Sequence, residues 1–194
     1  MQTKKPKKER KKKSIKPSGP KKARTIFSIG HSIRTWKEFI SVLRNHEIAM
    51  VADVRTIPRS RHNPQFNRAI LSRRLRAAGL RYCHLDGLGG LRHAKADSVN
   101  TAWRNASFRG YADYMQTRGF VKNLQPLIRM AGRQRVVIMC AEAVPWRCHR
   151  SLIADALCVR KFEVRHILGI NSLKRHTLTP WAKVRGVKVW YPLK

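Results

Sequence analysis

Acidic residues are scarce in this chain: ten Asp and Glu stand against 43 Lys and Arg in 194 residues, a formal net charge of +33. So one-sided a charge repels itself and is expected to be used against a polyanion. Cysteine is also sparse, with only Cys83, Cys140, Cys148 and Cys158. No signal of secretion accompanies them, so reduced thiols are expected rather than a disulfide scaffold. No stretch approaches the roughly 18 apolar residues of a membrane-spanning helix. The basic start is not followed by the apolar run of a secretory signal. These absences together predict a soluble, cytoplasmic protein without a membrane partner. Internal repeats, a G-x-S-x-G elbow, a helix-turn-helix, a zinc finger and RNA-binding signatures are missing as well.

What is present divides in two. Twelve of the basic residues and only one acid, Glu9, fall within residues 1–24, leaving 31 basic against 9 acidic residues beyond them. The run from Lys4 to Lys13 has almost no apolar side chains to bury and is predicted to be a disordered basic tail. Pro17, Ser18, Gly19 and Pro20 read as a linker. The tail fits a nucleic-acid arm, a targeting signal or a solubilising extension. Residues 25–194 are enough for one core and are predicted to form a single domain.

That domain alternates strand and helix. Thr25–Gly30, Ile48–Val54, Leu80–His84, Arg135–Cys140 and Phe162–Leu168 read as strands, and Val187–Tyr191 as an added edge strand. Trp36, Phe39, Ile40 and Leu43 recur with helical spacing, and a second helix is expected over about Arg68–Ala78, stopping at Gly79. One or two helices follow over Tyr111–Ile128, and another lies after Cys148. The pattern predicts an α/β three-layer sandwich around a mainly parallel sheet of about five strands.

Four of those strands run directly into polar, reactive residues. In a parallel α/β sheet the carboxyl ends of the strands share one edge, where ligands sit. His31, Ser32, Asp53, Arg55, His84, Cys140, Glu142, Cys148, His149 and Arg150 are therefore expected around one crevice. The stretch from Cys140 through Arg147, Cys148, His149 and Arg150 carries most of the chemistry. A helix opening near Cys148 would lower its thiol pKa, and Arg55, Arg147 and Arg150 could hold an anion. Three chemistries fit. A phosphatase-like or sulfurtransferase-like cysteine loop is disfavoured because the loop has no glycine to let it curl. Cys140, Cys148 and His149, with His31 or His84, are candidate metal ligands, though no C-x-x-C pair is present. An acid/base pocket would set Glu142 or Asp53 against His31 or His84. Each has a bland counterpart: Cys140 as core, an Asp53–Arg55 or Asp53–histidine pair that merely fixes a loop, Ser32 or Thr35 as a helix cap. Arg59, Arg61, Arg68, Arg73, Arg74, Arg76 and Arg81 form a basic surface, and Trp103, Trp146 and Trp181 could stack bases or pack a rim.

Five motifs then occur in order: Ile29-Gly30-His31-Ser32; Asp53-Val54-Arg55 with Pro58 and Ser60; Tyr82-x-His84 with Leu88-Gly89-Gly90; Tyr111-Ala112-x-Tyr114-Met115; and Cys140-Ala141-Glu142 with Cys148-His149-Arg150 and His166-Ile167. In this the chain resembles the family called domain of unknown function 488, over about residues 25–170. The resemblance implies a single α/β domain and brings no catalytic roles with it. Two main functions stay open: an enzyme acting on a phosphorylated or nucleic-acid substrate, and a non-catalytic nucleic-acid-binding accessory protein with a basic arm. A metal-binding protein is the third. The pattern names no cofactor, and a small anionic ligand would suit the crevice.

Overall fold

Strand β1 (Arg24–Gly30) lies between β4 (Val136–Cys140) and β5 (Phe162–Gly169), parallel to both. On the far side of β4 follow β2 (Met50–Asp53) and β3 (Arg81–His84), also parallel. A short antiparallel strand, β6 (Ser172–Arg175), completes the order β3-β2-β4-β1-β5-β6. This computed structural model describes residues 24–193, so the expected disordered tail lies almost wholly outside the described residues.

The strands form where uninterrupted apolar residues allow burial on both faces. Alternate side chains then divide between two cores. Phe27, Ile29, Val51, Val137 and Met139 pack against helices α1 (Trp36–Asn45) and α2 (Arg68–Ala77). Ile26, Ala52, Ile138 and Val164 face α3 (Ala106–Met115), α4 (Arg118–Ala131) and α5 (Arg150–Cys158). The three-layer α/β sandwich expected from the alternation is what the chain forms. Helix α1 is capped by Thr35 in a reciprocal box with Glu38, not by Ser32, which takes a left-handed backbone (φ 48°). Gly79, at φ 78°, ends α2 as expected. The Val187–Tyr191 segment does not join the main sheet. Lys188–Trp190 (β8) pairs with Lys183–Arg185 (β7) in a separate hairpin, while Val189 and Tyr191 are buried against the α3–α5 layer.

Topology places the site. From β1 the chain moves outward through α1, β2 and α2 to β3, over one face. It returns through α3 and α4 to β4 and continues through α5 to β5, over the other. With crossovers of one hand, connections in opposite directions must use opposite faces. The neighbours β1 and β4 are thus the point where direction reverses, and the edge beyond them is where an α/β sheet opens a crevice.

Candidate functional site

At that edge the two loops are stitched together. The His31 amide donates to the Cys140 carbonyl and the Ser32 amide to that of Ala141, both at 2.9 Å. Gly30 makes this approach possible: a Cβ there would stand 1.9 Å from the Glu142 carbonyl oxygen. The chain then makes a 3-10 turn over Pro145–Arg147, extends at Cys148 and enters α5.

Arg150, in the first turn of α5, is only 1% exposed. Its Nη1 donates to Ser28 Oγ (3.0 Å), its Nη2 to the Glu142 carbonyl, and its Nε to Cys148 Sγ (3.4 Å). Among the described residues no carboxylate pairs with it. A buried guanidinium without a counter-charge is costly. The atom placed to supply that charge is the Cys148 sulfur, itself 4% exposed.

The other neighbours of Cys148 act the same way. A hydrogen bond from the Cys140 thiol, contacts with His149 and the charge of Arg150 together hold Cys148 well below the usual thiol range, against the opposing effect of burial. Cys140, donating to that sulfur and largely buried, is pushed up. Burial does the opposite at Cys83, which it raises to about 11 together with the charge of Asp53. His149 donates from Nε2 to the Val54 carbonyl at 3.0 Å, so Nδ1, 3.6 Å from Cys148 Sγ, accepts the thiol proton when the ring is neutral and donates to the thiolate once it carries that proton. Gly90 leaves room for that ring, because a Cβ on it would lie 2.5 Å from Nδ1. Cys140, Cys148 and His149 also present three donor atoms within 4.8 Å of one another, the right types to hold a metal. A cavity of about 420 Å³ opens beside them, lined by Thr56, Gly90, Ser107, Glu142, Arg147 and His149 among others.

His31, Asp53, Arg55 and His84 are brought to the same edge but form a second, self-satisfied network. Arg55 binds Asp53 with a fork, Nε to Oδ1 at 2.9 Å and Nη2 to Oδ2 at 2.6 Å, and Tyr82 donates to the same carboxylate at 2.9 Å. Its Nη1 reaches His31 Nε2 at 3.2 Å. Since His31 Nδ1 donates to the Ser32 carbonyl, Nε2 must be the acceptor. Burial and the Arg55 charge hold His31 down at about 4, so it stays neutral. His84 donates to the Arg55 carbonyl at 2.7 Å.

The anion-holding roles expected of Arg55 and Arg150 do not match this geometry, since both guanidinium groups are buried and committed within the protein. Arg147, exposed at the cavity rim and without an ion pair among the described residues, is placed to take one. Glu142 is likewise exposed, and its backbone carbonyl rather than its carboxylate meets Arg150. The expected Glu142–histidine acid/base pair is thus not assembled. A phosphatase-like amide cradle is absent too, because the loop turns the carbonyls of residues 140–143 toward its partners.

One cluster escaped the reading of the residues. Asp155, fully buried in α5, accepts from His176, Thr179 and Tyr191, and His176 in turn meets His166. Its members are far apart in sequence; the only hint was His166 within the His166-Ile167 motif.

No curated protein and no solved structure matches the chain. A family model, described as domain of unknown function DUF488, matches residues 35–157. That span runs from the cap of α1 to the last turn of α5 and takes in Cys140, Cys148, His149 and Arg150, with Ser28, Gly30 and His31 just before it, and the chain belongs to the DUF488 family.

Proposed function

We propose that the protein is an enzyme acting on a phosphorylated or nucleic-acid substrate, with the Cys148 thiolate as nucleophile. The observation that carries this reading is the buried Arg150 whose nearest source of negative charge is Cys148 Sγ. A thiolate is the reactive form of cysteine, and structural buried thiols are held neutral instead. In the proposed reaction His149 Nδ1 accepts the thiol proton and Arg150 holds the sulfur charge. Arg147 seats an anionic group of the substrate in the adjoining cavity. The sulfur bonds to the electrophilic centre, the leaving group departs with the proton from His149, and water then releases the product. A persistent thiolate suits a reducing compartment, which favours the cytoplasm.

The test is to follow the ultraviolet absorbance of thiolate against pH in the wild type and in Cys148→Ser. A band belonging to Cys148 should persist well below the ordinary thiol value of about 8.5. Mass spectrometry after incubation with phosphorylated and nucleic-acid substrates should find an adduct on Cys148. Titration at or above the ordinary value would end the proposal.

Two observations keep the other readings in play. The three donor atoms of Cys140, Cys148 and His149 fit a metal-holding role, which stoichiometric zinc on elemental analysis, removed by chelation, would support. The groove along α2, of about 790 Å³ and lined by Arg59, Arg68, Arg73 and Arg76 without an acid, favours a nucleic-acid partner. Such binding would weaken steeply with salt.

A further inference from the structure

A second cavity, of about 400 Å³, lies on the other side of the Pro145–Arg147 turn. Trp146 and Trp181 stand at it with 55% and 43% of their surfaces exposed, unusual for the largest apolar side chain. Lys174 Nζ lies 5.2 Å from the Trp146 ring centre, and Arg175 is a further cation of the lining, which contains no acid.

Two polar atoms of this lining are buried without a hydrogen-bond partner among the described residues: Trp103 Nε1 and His166 Nδ1. Such atoms are rare because each costs roughly 1–3 kcal/mol. Their chemistry is complementary. The indole Nε1 can only donate. The fully buried Asp155 accepts from His176 Nε2 at 2.8 Å, so in the neutral His176 ring Nδ1 accepts from His166 Nε2 at 3.0 Å. His166 Nδ1 is thereby left as a bare acceptor.

We propose that this cavity binds a nucleobase with its attached phosphate, the ring stacked on Trp146 and Trp181 and the phosphate held by Lys174 and Arg175. Stacking on aromatic rings beside cations is how single-stranded nucleic acid is held without reading its sequence. A base edge also offers the donor and the acceptor that Trp103 and His166 lack. Trp146 and Arg147 are consecutive and line the two cavities separately, so a strand crossing this turn brings a neighbouring phosphate to Arg147. The inference does not depend on Cys148 being catalytic.

The experiment measures binding of the full chain to adenosine monophosphate, to a single-stranded oligonucleotide and to inorganic phosphate. Intrinsic fluorescence and anisotropy give the readout. Trp146→Ala with Trp181→Ala should weaken nucleotide or single-strand binding by roughly tenfold or more, the worth of one to two stacked bases. Trp146→Phe should restore most of the loss in the Trp181-intact chain relative to Trp146→Ala, and circular dichroism should be unchanged because both rings are half-exposed. Binding of the mononucleotide marks a free nucleotide as ligand; binding of the oligonucleotide alone marks a strand; either supports the site. Unchanged affinity of the double variant for both probes overturns it, as does displacement of the nucleotide by inorganic phosphate at equal concentration.

Discussion

At the scale of single residues the proposed chemistry turns on Arg150. Its side chain is long enough to reach Ser28 on β1, the Glu142 carbonyl and Cys148 Sγ from one position on α5. Replacing it by methionine keeps the volume and removes the positive charge beside the sulfur. Arg150→Met should therefore shift the Cys148 titration upward, and removal of one member of a buried charge pair should cost about 3–5 kcal/mol of stability. Thiolate absorbance and urea unfolding of the same variant measure both effects. A variant with unchanged titration would show that sulfur and guanidinium are not coupled. Asp53→Asn belongs to the same argument. It leaves Arg55 buried beside a neutral amide, so a loss of the same order, about 3–5 kcal/mol, is expected in urea. A loss below about 1 kcal/mol would mean that the fork is replaceable. The reactive triplet Cys148-His149-Arg150 was legible because its members are contiguous. The Asp53–Arg55 pair was legible too, as the plain alternative to an anion-holding Arg55. The internal commitment of Arg150 was not, because its partners, Ser28 and the Glu142 carbonyl, leave no mark in the local sequence.

At the scale of elements, the site depends on the loops after β1 and β4 lying closer than side chains normally permit. Gly30 faces two backbone groups, the Glu142 carbonyl and the Ala143 Cα at 2.9 Å, neither of which can swing aside as a side-chain end would. Gly30→Ala should push the β4–α5 loop outward and cost about 1–3 kcal/mol, the range for overfilling a packed site. Since that loop carries the carbonyls that hold Arg150, thiolate absorbance should move with stability. Loss of stability alone would separate the loop from the thiol. The principal strands were readable to within a residue or two because central strands are continuous apolar runs. The hairpin of β7 and β8 was not: a short strand of alternating character does not say which edge it joins, and Val189 and Tyr191 settle on the helices instead.

For the whole molecule, the charge imbalance and the wound α/β sheet were plain from composition and alternation. The meeting of β1 with β4 depends on strand order, which arises from crossover handedness rather than from any motif. That order also buries two histidines in places where protonation is unfavourable. Burial, with the nearby cations, holds His31 at about 4, with Arg55 and Arg150 outweighing the opposing Asp53. His166 is held at about 3 by burial, His176, Arg150 and Lys174. In the unfolded chain both titrate near 6.5. Between pH 6.5 and about 4 the unfolded state therefore binds two protons that the folded state refuses, and stability must fall as pH falls. At pH 5 the loss amounts to about 2 kcal/mol for each histidine. Cys148 acts in the same direction, since its depressed folded pKa gives stability that is complete above about 8.5 and declines as pH is lowered toward the folded value. Urea midpoints at pH 7, 6 and 5 and constant ionic strength should thus descend, steepening below pH 6.5 by up to two protons beyond the Cys148 contribution. A descent that does not steepen below pH 6.5 would show that His31 and His166 accept protons in the folded protein, and the neutral acceptor assigned to His166 would go with them.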